Sequence, residues 1–218
     1  MTMSKNEEVK YNKSNLYTEI TYDSKKRFCS YWHQIQEVIL TNPRQILEIG
    51  IGNGFVSKYL KERQFQIVTI DVDEKLKPDI AGSVLGIPFV DESFDAVVCY
   101  EVLEHLPFQN FADALREINR VTRAHAVISL PDISGFYIVY LDLPIIGEIK
   151  KLITRPTLKL PPNKFDGYHC WEIGKATYPL KTIKSVIKNA GFDIRRTFRV
   201  FECPYHRFFI LEKVVRIL

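Results

Sequence analysis

Cysteine is scarce in this chain. The four cysteines, Cys29, Cys99, Cys170 and Cys203, form no CxxC pair, which argues against a disulfide framework or a zinc site. That usage fits a reducing compartment, so a cytoplasmic location is expected. Long apolar runs are missing as well. The longest, residues 136–149 (FYIVYLDLPIIGEI), is broken by Asp142 and Pro144 and is shorter than the ~20 residues a membrane-spanning helix needs. The opening MTMSKNEEVKYNKSN is polar without an apolar centre, so no signal peptide is expected and the segment reads as loosely packed. Internal repeats and low-complexity tracts are also absent. What is present is ordinary for a globular protein: 218 residues, 46% hydrophobic and 26% charged, enough for one domain with a sizeable core.

Charge is unevenly spread. Residues 1–149 hold 15 Lys+Arg and 21 Asp+Glu, a net −6, whereas residues 150–218 hold 15 and 5, a net +10. A basic final third could attract an anionic acceptor, a membrane surface or nucleic acid, or could be a solvated face with no partner.

Apolar periodicity predicts a helix over 17–40, stopped at Asn42-Pro43. Short strands over 45–50, 66–71, 79–82, 94–100 and 125–131 then alternate with amphipathic helices over 55–63 and 111–122, and a turn spans Glu74 to Lys77. Such alternation means parallel βαβ units and a doubly wound α/β sheet. Residues 132–170 break the rhythm and read as a lid or substrate insertion. A helix over 178–192 capped by Gly191 follows, then two strands whose short link forces antiparallel pairing. The chain therefore divides into an N-terminal helical segment (1–43), a core (44–131), the insertion (132–170) and a closing helix with two strands (171–218), all in one domain.

The chemistry concentrates where the first strand ends. LEIGIGNG (47–54) places Gly50, Gly52 and Gly54 within five positions, so a ligand must approach bare backbone there. The third glycine of a GxGxxG dinucleotide fingerprint would fall on Phe55, and no Lys-Ser/Thr follows, which excludes a phosphate-cradling P-loop. Glu48 ahead of the loop repels phosphate and suits an ammonium or sulfonium. Asp71, ending the second strand, can accept ribose hydroxyls or cap a helix.

Taken together, LEIGIGNG, TIDVD, GIPFVDESFDAVVCYEVLEHLP, ALREINRV and ISLP resemble the class I S-adenosylmethionine-dependent methyltransferases, in particular the methyltransferase type 11-like family, over residues 44–131. The resemblance implies a Rossmann-like sheet of seven strands, mostly parallel with an antiparallel seventh, and S-adenosyl-L-methionine as cofactor. It also implies roles for residues. Glu48, Gly50, Gly52 and Gly54 would surround the methionine end, Asp71 the ribose, Val72 the adenine face, Ser83, Val84 and Leu85 the adenine edge, and Tyr100 and Glu101 the reactive methyl. Ser83 stands where many members carry aspartate, and a hydroxyl is the weaker acceptor.

Methyl transfer to a hydroxyl needs alignment and removal of a proton. His105 and His169 are the candidate bases. Each also has a bland reading, His105 shaping the pocket loop and His169 docking the insertion with Trp171. No metal is expected, because Asp91, Glu92 and Asp95 read as surface loop and strand entry. The insertion's aromatics and lysines suit a small or amphipathic, lipid- or glycan-like acceptor methylated at oxygen. They also suit peripheral membrane contact through 136–160, or a homodimer interface in place of a monomer. Nucleic acid is disfavoured, since no NPPY-type motif is present. The alternatives are a non-catalytic S-adenosylmethionine-binding regulatory module and a nicotinamide-dependent oxidoreductase.

Overall fold

The computed structural model describes Tyr17 and residues 19–156, 159–165 and 167–214; the polar opening of the chain lies outside them. The first helix is shorter than its periodicity predicts. A 3-10 turn, Ile20–Tyr22, precedes α1 (Lys25–Leu40). Ser24 is extended (ψ 158°) and its side chain accepts from the Arg27 N–H, so a helix N-cap sits inside the stretch that the apolar pattern joined.

The core then follows the predicted order: β1 (Gln45–Ile49), α2 (Phe55–Glu62), β2 (Gln66–Asp71), the two-residue β3 (Ile80–Ala81), β4 (Phe94–Tyr100), α3 (Phe111–Val121) and β5 (Thr122–Pro131). The insertion holds a hairpin, β6 (Phe136–Leu143) and β7 (Gly147–Thr154), which among the described residues pairs with no other strand. This secondary structure was not expected there. The chain closes with α4 (Leu180–Asn189), β8 (Phe192–Arg199) and β9 (His206–Lys213). Gly191 takes φ +91° after α4, the left-handed turn its position predicts.

Seven strands form one sheet in the order β3-β2-β1-β4-β5-β9-β8. β1, β2, β3, β4 and β5 are parallel, and β9 runs antiparallel to both β5 and β8. The expected seven-stranded, Rossmann-like architecture is thus the one observed. Strand alternation feeds two apolar layers. Phe94, Val97 and Cys99 of β4 join the layer under α3 and α4, while Ala96, Val98 and Tyr100 join the layer under α1 and α2. On α3, Phe111, Ala114, Leu115, Ile118 and Val121 are all fully buried, the stripe of an amphipathic helix laid on a sheet. Strand order reverses between β1 and β4, so a crevice opens at their carboxyl ends, the usual place for a ligand in such sheets. Among the described residues, no helix is long and apolar enough to cross a membrane.

Candidate active site

The glycine loop leaves β1 at that crevice. The Gly50 N–H donates to the Ile70 carbonyl at 2.8 Å, and Gly50 adopts φ +81°. A Cβ there would stand 2.2 Å from Val102 Cγ2, so no side chain fits beneath the loop. Gly52 is also left-handed (φ +53°), but its Cβ direction is nearly open, with Tyr17 Cε1 at 3.6 Å. The Asp71 carboxylate accepts from the Ile51 and Asp73 N–H groups, each at 2.9 Å. It therefore ties the loop to the end of β2 and still faces the crevice.

The crevice is a cavity of about 690 Å³, within the size range of small-molecule sites. Of the predicted cofactor residues, Glu48, Gly50, Gly52, Asp71, Val72, Val84, Tyr100 and Glu101 line it. Gly54, Ser83 and Leu85 are not among the lining residues: Gly54 caps α2, and the Ser83 hydroxyl accepts from the Leu85 N–H at 3.0 Å. Tyr100 is buried, and its hydroxyl donates to the Gln34 carbonyl at 2.9 Å. Burial pushes that phenol well above its usual range, which removes it as a base at neutral pH. Glu48 is 3% exposed, and its Oε2 has no hydrogen-bond partner among the described residues. Burial raises its pKa to about 8, as expected for a carboxyl taken out of water.

One wall escaped the sequence reading. Tyr17, Tyr22, Arg27, Tyr31 and Asn53 also line the cavity. The Asn53 amide donates to Asp23 and to the Tyr31 hydroxyl, each at 3.0 Å, and the Tyr31 hydroxyl donates to Asp23 at 3.0 Å. These bonds lock the start of α1 onto the glycine loop. Arg27 lies over the Tyr22 ring at 4.0 Å, a placement that suits a ligand carboxylate. The repeated tyrosines from 17 to 31 were the available signal, but α1's apolar pattern explained Tyr31 as core.

The two candidate bases lie side by side. His105 lines the cavity; His169 does not, but the two rings lie 5.0 Å apart. The end of the insertion is bound to the loop after β4. The Cys170 N–H donates to the Glu104 carbonyl at 2.8 Å, and the Trp171 indole N–H donates to the Leu106 carbonyl at 3.1 Å. Trp171 is fully buried, its ring against Phe108 and Phe111. Asp91, Glu92 and Asp95 lie elsewhere and have structural partners: Asp91 pairs with Arg120, Glu92 with Lys213, and Asp95 accepts from the Arg44 and Gln45 N–H groups.

Residues 47–130 match the family described as a methyltransferase domain. That segment carries the likeness of this chain to S-adenosylmethionine-dependent methyltransferases. A probable S-adenosylmethionine-dependent methyltransferase of Mycolicibacterium smegmatis is 24% identical over 188 residues, covering 79% of this chain and 63% of the relative. A demethylmenaquinone methyltransferase of Thermotoga maritima is 31% identical over 124 residues, 47% of this chain and 52% of the relative. The chain thus spans less than two thirds of the length of these relatives. In fold it is similar to a Burkholderia thailandensis 1,6-didemethyltoxoflavin-N1-methyltransferase crystallised with S-adenosylhomocysteine, with TM-score 0.61, 12% identity, and 93% and 84% of the two chains covered.

S-adenosylmethionine is the cofactor that this likeness implies, and the residues present fit it. The buried, unpartnered Glu48 oxygen is the complement of a cationic group. The loop at Gly50 and Gly52 admits a ligand against backbone, and the Asp71 carboxylate lines the same cavity.

Proposed function

We propose that this chain transfers a methyl group from S-adenosylmethionine to an oxygen of a small or amphipathic acceptor. The cavity carries this reading: cofactor-type groups line it together with His105, and His169 stands beside that histidine. When bound, the cofactor supplies an electrophilic methyl group. Glu48, Gly50, Gly52 and Asp71 hold and orient it, with Val72 and Val84 against the base, while Tyr100 and Glu101 shape the space where the acceptor meets it. Arg27 is positioned for the amino-acid carboxylate. An O–C bond forms as the C–S bond breaks, and the hydroxyl's proton leaves on the side where His105 and His169 stand.

The hairpin supports an amphipathic acceptor. It rises where β5 ends, at the carboxyl edge that opens the cavity. It exposes Tyr137, Tyr140, Leu141 and Ile145 beside Lys150, Lys151 and Arg155, and Arg199 packs over Phe136 at 4.6 Å. An apolar wall with a cationic rim takes a greasy acceptor with a polar or anionic head, and it could seat on a membrane surface where that acceptor is lipid-linked. The Thermotoga relative, whose name gives demethylmenaquinone as acceptor, points the same way.

Incubation with methyl-labelled cofactor and a panel of phenols, hydroxy acids and lipid extracts tests this reading. Label in an acceptor with matching release of S-adenosylhomocysteine is the expected result. Cofactor binding with no turnover on any member of the panel would favour the regulatory-module reading.

A further inference from the structure

Glu104 joins His105 and His169 in a cluster organised beyond what a single proton acceptor needs. One oxygen of the fully buried Glu104 lies 4.0 Å from His105 Nε2 and 3.9 Å from His169 Nε2. One ligand-type atom from each of the three residues falls within a group 4.8 Å across. The opposite nitrogen of each ring is engaged from behind. His105 Nδ1 lies 2.8 Å from the Tyr168 carbonyl. A carbonyl can only accept, so Nδ1 carries the proton, and in the neutral ring Nε2 is then the atom with the lone pair. His169 Nδ1 lies 3.3 Å from Glu172 Oε1, and that carboxylate is itself held by Lys175 at 2.8 Å and by the Tyr205 hydroxyl. A carboxylate behind one imidazole and a carbonyl behind the other is the outer arrangement that metal-ligating histidines use.

We propose that Glu104, His105 and His169 form a site for a divalent first-row transition-metal ion at the acceptor end of the cavity. Two imidazoles and one carboxylate suit zinc, manganese, iron or cobalt. Ligand atoms about 2.0–2.2 Å from a metal stand roughly 3–3.5 Å apart. The two Glu104–histidine separations, 4.0 and 3.9 Å, therefore close with a contraction of about 0.5–1 Å, and the widest pair in the 4.8 Å group with about 1.3–1.8 Å, within reach of side-chain rotation. Three protein ligands leave coordination positions open, and His105 turns the site toward the cavity. An acceptor hydroxyl bound there would have its pKa lowered and would give its proton to solvent. His105 and His169 then act as ligands, and the oxygen specificity of the proposed reaction gains a physical basis. The role in transfer rests on the methyltransferase reading; the ion site stands without it.

The test is titration of the chelator-treated full chain with cobalt(II), followed by visible absorption, with S-adenosylhomocysteine binding measured separately. The wild type is expected to bind one cobalt. His105→Ala and His169→Ala should lose that binding, and Glu172→Gln should weaken it about 10–100-fold. Absence of cobalt binding by the folded wild type would overturn the site, as would binding that persists in both histidine variants. If a variant does not fold, zinc titration of wild-type protein carrying 15N-labelled histidine decides: both Nε2 resonances should move, and unmoved resonances would overturn the site. Cobalt bound without any S-adenosylhomocysteine binding would sink the methyltransferase reading and leave the metal site standing.

Discussion

Residues 45–131 and the hairpin 136–154 place their apolar side chains on opposite terms. In the first region Val97, Cys99, Leu115 and Ile118 are fully buried, and every strand has a neighbour in the sheet. In the hairpin Tyr137, Ile138, Tyr140 and Leu141 are exposed in close succession and Ile145 is 98% exposed, and among the described residues each strand pairs only with the other. Burial fixes the first region to one structure, and that region carries the cofactor-type residues. The second spends its apolar surface outward, where only an acceptor or a surface could cover it. Stability and acceptor choice should therefore separate cleanly under mutation.

The largest effect is expected from Leu115→Ala under the sheet, a loss of about 2–5 kcal/mol in unfolding free energy, read by denaturant titration. A much smaller loss would mean that the α3 layer is not the core it resembles. Next, Asp71→Ala should weaken cofactor binding by about 1–3 kcal/mol in calorimetry, since it removes both a ribose acceptor and the tie to the Ile51 and Asp73 amides. An unchanged dissociation constant would take Asp71 out of the site.

The buried Glu48 gives a pH dependence. Its folded pKa, about 8, lies above the ordinary 4.5, so the ligand-free fold favours the protonated form. The stability this contributes is fully present at low pH and is lost as pH rises from 4.5 toward 8. A cationic cofactor favours the carboxylate instead, so binding releases a proton. Affinity for S-adenosylmethionine should climb by up to about tenfold per pH unit below 8 and then level off. A flat profile would place the positive group elsewhere.

Smallest of all is Ile145→Ser at the hairpin tip, expected to leave stability within about 0.5 kcal/mol while raising KM for the acceptor. A lowered melting temperature with unchanged KM would reverse the division of labour drawn between the two regions.

The same contrast explains what the sequence made legible. β1, β2, β4 and α3 announce themselves because burial imposes a period on their apolar residues. The antiparallel closing pair follows from a short link and needs no further information. The hairpin has no buried face, so its exposed residues leave no two-residue period to read. The tyrosine wall depends on a 3-10 turn and on Asn53 bridging to Asp23, neither of which has a spacing signature. His169 reaches His105 only because Trp171 is buried between Phe108 and Phe111, a packing event that joins residues distant along the chain. Glu104 had no reading of its own beside His105, and only the fold shows that it is buried.

The central claim is that the glycine-loop cavity holds S-adenosylmethionine. Calorimetric titration of the wild type and of Gly52→Val with S-adenosylmethionine tests it most directly, because valine at φ +53° distorts the loop where the ligand would approach while its Cβ meets only Tyr17 among the described residues. The account predicts saturable one-to-one binding by the wild type and none by a variant that still melts cooperatively. Binding retained by folded Gly52→Val, or absent from the wild type, would contradict it.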